Sequence, residues 1–62
     1  DLTDTQRNLL QKLSESEDGW HVNQLVMELQ LPYNEVASEL MMLELNGLIK
    51  GLPGGIWRRV ER

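Results

Sequence analysis

Between Val36 and Ile49 an apolar helical pattern, a glycine and the start of a strand follow one another without a spacer. Val36, Leu40 and Leu43 recur at i, i+4 and i+7, which puts them on one face of a helix turning ~100° per residue. Gly47 follows the last turn, where the backbone needs a left-handed residue that only glycine adopts without steric cost. Leu48 and Ile49 then open a strand that runs into Pro53-Gly54-Gly55, a turn signal, with a second strand beyond it. Few folds accommodate helix, glycine, strand, tight turn and strand at this spacing.

The front of the chain supplies the support. Thr3 is a good N-cap, and Gln6 three residues later completes a capping-box pattern. Leu9, Leu10 and Leu13 give a first helix its apolar stripe through Ser14. The polar run Glu15-Ser16-Glu17-Asp18-Gly19 reads as a loop with solvated charges. Trp20-His21-Val22 reads as a brief strand that pairs onto the hairpin, with Trp20 as a core or sheet-face anchor. Asn23 is the expected cap of a short second helix, Gln24 to Leu29, with Leu25, Val26 and Leu29 inward. Leu31-Pro32 turns into a third helix from Tyr33 to Asn46, proline losing no backbone bond at a helix start. The hairpin then pairs Leu48–Leu52 with Ile56–Val60. Ile56 and Trp57 cannot both face the core, and Trp57 is the expected inward residue because it has more apolar surface to bury. The expected fold is α+β: a small winged helix-turn-helix of three helices and a three-stranded antiparallel sheet with a β-hairpin wing.

Size and composition exclude much else. Sixty-two residues make one domain, 1–62, and a chain this small buries only ~60% of its unfolded surface. With no cysteine there is neither a disulfide nor a thiolate metal site, and the single histidine argues against a histidine cluster. His21 is expected to be structural or solvent-facing, since the sequence shows no partner carboxylate or second ligand. No apolar run approaches the ~20 residues of a membrane span, and no signal-peptide pattern opens the chain. A cytoplasmic setting fits, and a start at Asp1 without methionine fits a domain of a longer protein. No nucleophile–base pair, paired carboxylates or phosphate loop suggests an enzyme or a cofactor; Gly54-Gly55 lies between strands and opens no helix.

Residues 31–36 (Leu-Pro-x-x-Glu-Val), Leu40, Leu43-Glu44-Leu45, Gly47-Leu48-Ile49 and Leu52-Pro53-Gly54-Gly55, followed by an aromatic and Arg58-Arg59, resemble one family. It is the C-terminal winged-helix domain of DNA-processing protein A (DprA, also called Smf). The string over residues 43–59 carries most of the signal, while Trp20-His21-Val22 and the front helix agree with the layout only loosely. Trp57 stands where the family suggests tyrosine, keeping the aromatic body and losing the hydroxyl. The resemblance implies a longer protein whose Rossmann-like core binds incoming single-stranded DNA and passes it to the RecA recombinase in natural transformation. It implies that the winged helix is an accessory module, binding duplex DNA in some members and proteins in others.

The residues of the third helix bear on that choice. A DNA-reading helix carries Arg, Lys, Asn, Gln, Ser or Thr outward. Here the face opposite Val36 holds Asn34, Ser38, Met41, Met42 and Leu45, flanked by Glu35 and Glu39, with no base between Tyr33 and Asn46. Charge is divided: residues 1–47 hold nine acids and two bases (−7), and residues 48–62 four bases and one acid (+3), summing to −4. One reading makes Met41, Met42 and Leu45 an adaptable protein interface for a second copy, the parent Rossmann-like domain or a recombination protein. Against it stands simple packing under the first helix or against the parent core. A second reading has Lys50, Arg58, Arg59 and Arg62 grip duplex phosphates weakly and without sequence preference, as in a DprA or a transcriptional regulator acting through its basic wing. Against that stands a solvated basic edge that keeps the hairpin from pairing with other chains. No small-molecule substrate or membrane contact is expected. Salt separates the two: phosphate binding should fall steeply between low and moderate salt in a titration, and a purely apolar contact should barely change.

Overall fold

The computed structural model describes residues 2–60. The chain runs α1 (Asp4–Ser14), β1 (Trp20–His21), α2 (Val22–Leu29), α3 (Tyr33–Leu45), β2 (Ile49–Leu52) and β3 (Ile56–Arg59). The three strands form one antiparallel sheet in the order β1-β3-β2. Among the described residues, three helices and this sheet make the small α+β winged-helix arrangement that the sequence predicts.

One apolar cluster holds the layers together. Leu9, Leu10 and Leu13 of α1 meet Val22 and Leu25 of α2, Val36, Leu40 and Leu43 of α3, and Ile49 of β2. Trp20, Val26, Leu29, Leu31, Leu48 and Trp57 pack against it, half-buried. Full burial of a leucine or isoleucine side chain is worth ~1.5–3 kcal/mol, so this cluster is the main source of stability.

The capping box at α1 is complete: Gln6 N–H donates to Thr3 Oγ1 (3.1 Å) and Thr3 N–H to Gln6 Oε1 (3.0 Å). Gln6 is buried, and its amide nitrogen also donates to Glu39 Oε1 of α3 at 2.9 Å. A residue chosen for a helix start therefore joins two helices.

The second helix departs from expectation at its start. It begins at Val22, not Gln24, and its cap is His21, not Asn23. Pairing of β1 onto β3 holds His21 extended, at φ −71° and ψ 145°, one residue before the helix. Its Nδ1 accepts from Asn23 N–H (3.0 Å), and its own N–H donates to Gln24 Oε1 (3.0 Å). Val22 leaves the strand because its buried side chain serves the core while its N–H donates to Gly55 O. At the other end Gln30 takes a left-handed conformation, φ 55°, that costs most side chains about 1 kcal/mol.

The third helix ends at Leu45, one residue earlier than the pattern predicts, with Asn46 as its C-cap. Gly47, at φ 77°, donates to Glu44 O, and Leu48 N–H donates to Leu43 O. That bond pair is a Schellman turn, and half-buried Leu48 packs on the core as such turns favour.

In the sheet Trp20, Trp57 and Gly51 lie side by side across the three strands, and Ile49 and Arg59 share their face. His21, Ile56, Leu52, Lys50 and Arg58 take the opposite face. Trp57 is the residue that packs on the core, as expected. Gly51 makes this possible: a Cβ there would lie 3.2 Å from the indole.

Two substitutions test these local arguments by urea or thermal unfolding. His21→Ala should cost ~1 kcal/mol, and His21→Asn should restore most of it, because Asn supplies another acceptor at the cap. Gln30→Gly should raise stability by up to ~1 kcal/mol, since glycine takes the left-handed conformation freely.

Candidate interaction surface on the third helix and the wing

On α3 the buried line Val36, Leu40, Leu43 fixes which face looks out. Met41, Met42 and Leu45 are 59%, 51% and 81% exposed, so they do not pack beneath α1. They cover the last two turns of the helix. The preceding part of that face is polar and exposed: Asn34, Glu35 and Ser38. Of the acids, Glu39 is half-buried and held by Gln6, which turns it toward α1 and away from solvent contacts. Glu35 and Glu44 remain exposed. No Lys or Arg lies on α3.

The wing divides its bases. Lys50 and Arg58 stand directly opposite each other on β2 and β3, on the face away from Trp57. Like charges so placed repel by up to ~1 kcal/mol, which an anion or solvent must offset. Arg59 is on the other face, and its Nη1 donates to Ser14 Oγ at the C-terminal end of α1. A cation there complements the negative end of the helix dipole. Ser14 Oγ in turn donates to Leu10 O. Arg62 lies outside the described residues. Of the three described bases, Lys50 and Arg58 share a sheet face and Arg59 takes the other, although all three line one shallow pocket at the hairpin edge with Val60.

A groove of 350 Å³ opens between the end of α1, the following loop and β3, with Ser14, Ser16, Glu17, Arg58 and Arg59 in its lining. Glu17 sits there with both arginines, so the loop read as merely solvated lies beside the wing and reduces its positive potential. Nearby, Lys12 pairs with Glu28 (3.1 Å) and Glu15 (3.9 Å) and lies 5.7 Å from the Trp20 ring centroid. The hydrogen bond to Glu28, then the charges of Glu15 and Glu28, raise the Lys12 pKa above its ordinary value. A raised lysine pKa means that any stabilisation is present at neutral pH and is lost as pH rises through the folded value.

The family model of the DprA winged helix domain matches residues 1–55. The chain belongs to that family. The matched residues of this DprA winged helix domain take in all three helices, β1, β2 and the Leu52-Pro53-Gly54-Gly55 turn, and stop short of β3 with its Trp57-Arg58-Arg59. No curated protein and no solved structure matches the chain.

Three contacts of this DprA winged helix domain were missed by sequence reasoning: Gln6–Glu39, Ser14–Arg59 and the His21 cap. The first two join residues 33 and 45 positions apart, and no local pattern marks them. The third had a signal, Gln24 three residues after His21, but the stronger capping preference of Asn23 hid it.

The two arginines should separate experimentally. Arg59→Ala should lower stability by ~0.5–1.5 kcal/mol in urea unfolding, through loss of the Ser14 hydrogen bond. Arg58→Ala should leave stability within ~0.5 kcal/mol while reducing whatever low-salt duplex binding a titration detects.

Proposed function

We propose that this DprA accessory module is a protein-interaction domain whose contact face is the outer surface of α3. The observation that carries the reading is the exposure of Met41, Met42 and Leu45 where a DNA reader would present bases. Methionine side chains are unbranched and adaptable, which suits a contact surface better than a fixed site. The module acts as a binding element within a protein that handles incoming single-stranded DNA and delivers it to RecA in natural transformation. Its candidate partners are a second copy, the parent Rossmann-like domain and a separate recombination protein.

Duplex DNA is at most a weak, non-specific ligand in this reading. Sequence reading needs bidentate donors on the groove-facing helix, and α3 offers Asn34 and Ser38 beside Glu35. Phosphate contact falls to Lys50 and Arg58, with Arg59 engaged at α1.

Magnitudes limit the contact. Each of the three apolar residues contributes less than the ~1.5–3 kcal/mol of full burial, because each is already partly covered. Association costs at least ~4 kcal/mol in lost freedom, so the patch alone sustains a weak contact.

A Met42→Glu, Leu45→Glu double variant tests the reading. It should stay folded, because both positions face solvent, and should lose self-association, docking to the parent domain or partner capture. Loss of folding would make these residues core. Intact folding with every one of those contacts unchanged would falsify the interface.

A further inference from the structure

The apolar patch of α3 sits at an electrically one-sided end of the helix. Glu44 is exposed beside the patch and also accepts from Gly51 N–H (3.4 Å), Glu35 is exposed in the first turn of the same helix, and the last turn contains no basic residue. The helix dipole adds partial negative charge at the same end, where Met41, Met42 and Leu45 lie. Side chains and backbone thus carry the same sign.

We infer that the occupant of this face is a basic amphipathic helix, a polypeptide segment with apolar side chains at i, i+3 or i+4 and Lys or Arg on the flanks. The inference rests on reading α3 as a protein-contact face, and it adds the chemistry of the partner. The apolar patch is too small to hold a partner unaided, so the flanking charges must contribute to affinity. A helix laid along α3 supplies anchors at matching spacing and cations where the carboxylates and the helix end require them.

Charge counts against the obvious competitor. Two copies meeting symmetrically through α3 would oppose Glu35 and Glu44 of one to the same residues of the other, with no base on either helix. The hairpin of a second copy offers Lys50 and Arg58, but its outer-face Leu52 and Ile56 are half-buried and only Val60 beside them is exposed among the described residues, so it brings cations with a single free anchor. Phosphates are repelled by the same carboxylates.

The experiment is a low-salt NMR titration of the whole domain with two synthetic helical peptides of equal length. One carries leucines at i, i+3, i+4 and i+7 flanked by lysines, and the other replaces each lysine with glutamate. The lysine peptide should shift amides between residues 38 and 47, and the glutamate peptide should not. Glu35→Gln with Glu44→Gln should weaken the lysine peptide about two- to twenty-fold, as expected for two exposed ion pairs. Met41→Ser with Leu45→Ser, or Leu45→Lys alone if that pair disturbs folding, should abolish binding. Equal binding of both peptides would overturn the basic partner and keep the contact face. Binding that survives the serine and lysine variants, or shifts confined to other surfaces, would overturn the face as well. No binding by either peptide, with self-association that Leu45→Lys removes, would assign the face to a second copy and overturn the inference.

Discussion

The backbone reversal at Gly47 ties the helical layer to the sheet. Leu43 on one side of it and Ile49 on the other are both fully or almost fully buried, and the turn brings them into one cluster. A residue with a Cβ would meet no neighbour at Gly47, so the constraint is the left-handed conformation itself and not crowding. Once Ile49 is seated, strand alternation places Gly51 beneath Trp57 and lines Trp57 up with Trp20. The same anchoring turns Met41, Met42 and Leu45 outward. Their exposure is a geometric consequence of where Val36, Leu40 and Leu43 must go.

Electrostatics then limits what the domain can touch. Glu35 and Glu44 are exposed at the two ends of α3, and the bases gather on the hairpin. The hairpin cations are not all available to a ligand. Arg59 is held by Ser14, and Glu17 shares a groove with both arginines. Carboxylates and helix carbonyls this close lower the potential that phosphates would otherwise meet. The −7/+3 division visible in the sequence is therefore softened in three dimensions by the 15–18 loop folding back beside β3.

Periodicity and turn chemistry made most of the fold legible. Leu9, Leu13, Val36, Leu40 and Leu43 identify the buried faces, and Gly47 and Pro53-Gly54-Gly55 mark the element ends. The outward face of α3 was legible for the same reason, since fixing one side of a helix fixes the other. The start of α2 was not. Capping preference ranks Asn above His, and although Trp20-His21-Val22 reads as a paired strand, nothing local says that it stops at His21 and lets Val22 open the helix. The splitting of Arg58 from Arg59 follows from alternation, but Ser14 as the partner of Arg59 depends on how α1 lies against β3, which no pattern in the chain encodes.

The strand order has a consequence for how the domain is made. The middle strand is the one farthest along the chain, and both of its neighbours precede it. While a ribosome extends the chain, the helices and the Gly47 reversal emerge before residues 56–59, and neither β1 nor β2 has a ladder to join. Neither pairing of the sheet can therefore form until residues 56–59 are available. A truncation or frameshift directly after Gly55 removes both ladders at once, leaving Trp20 and Gly51 without the indole that lies between them.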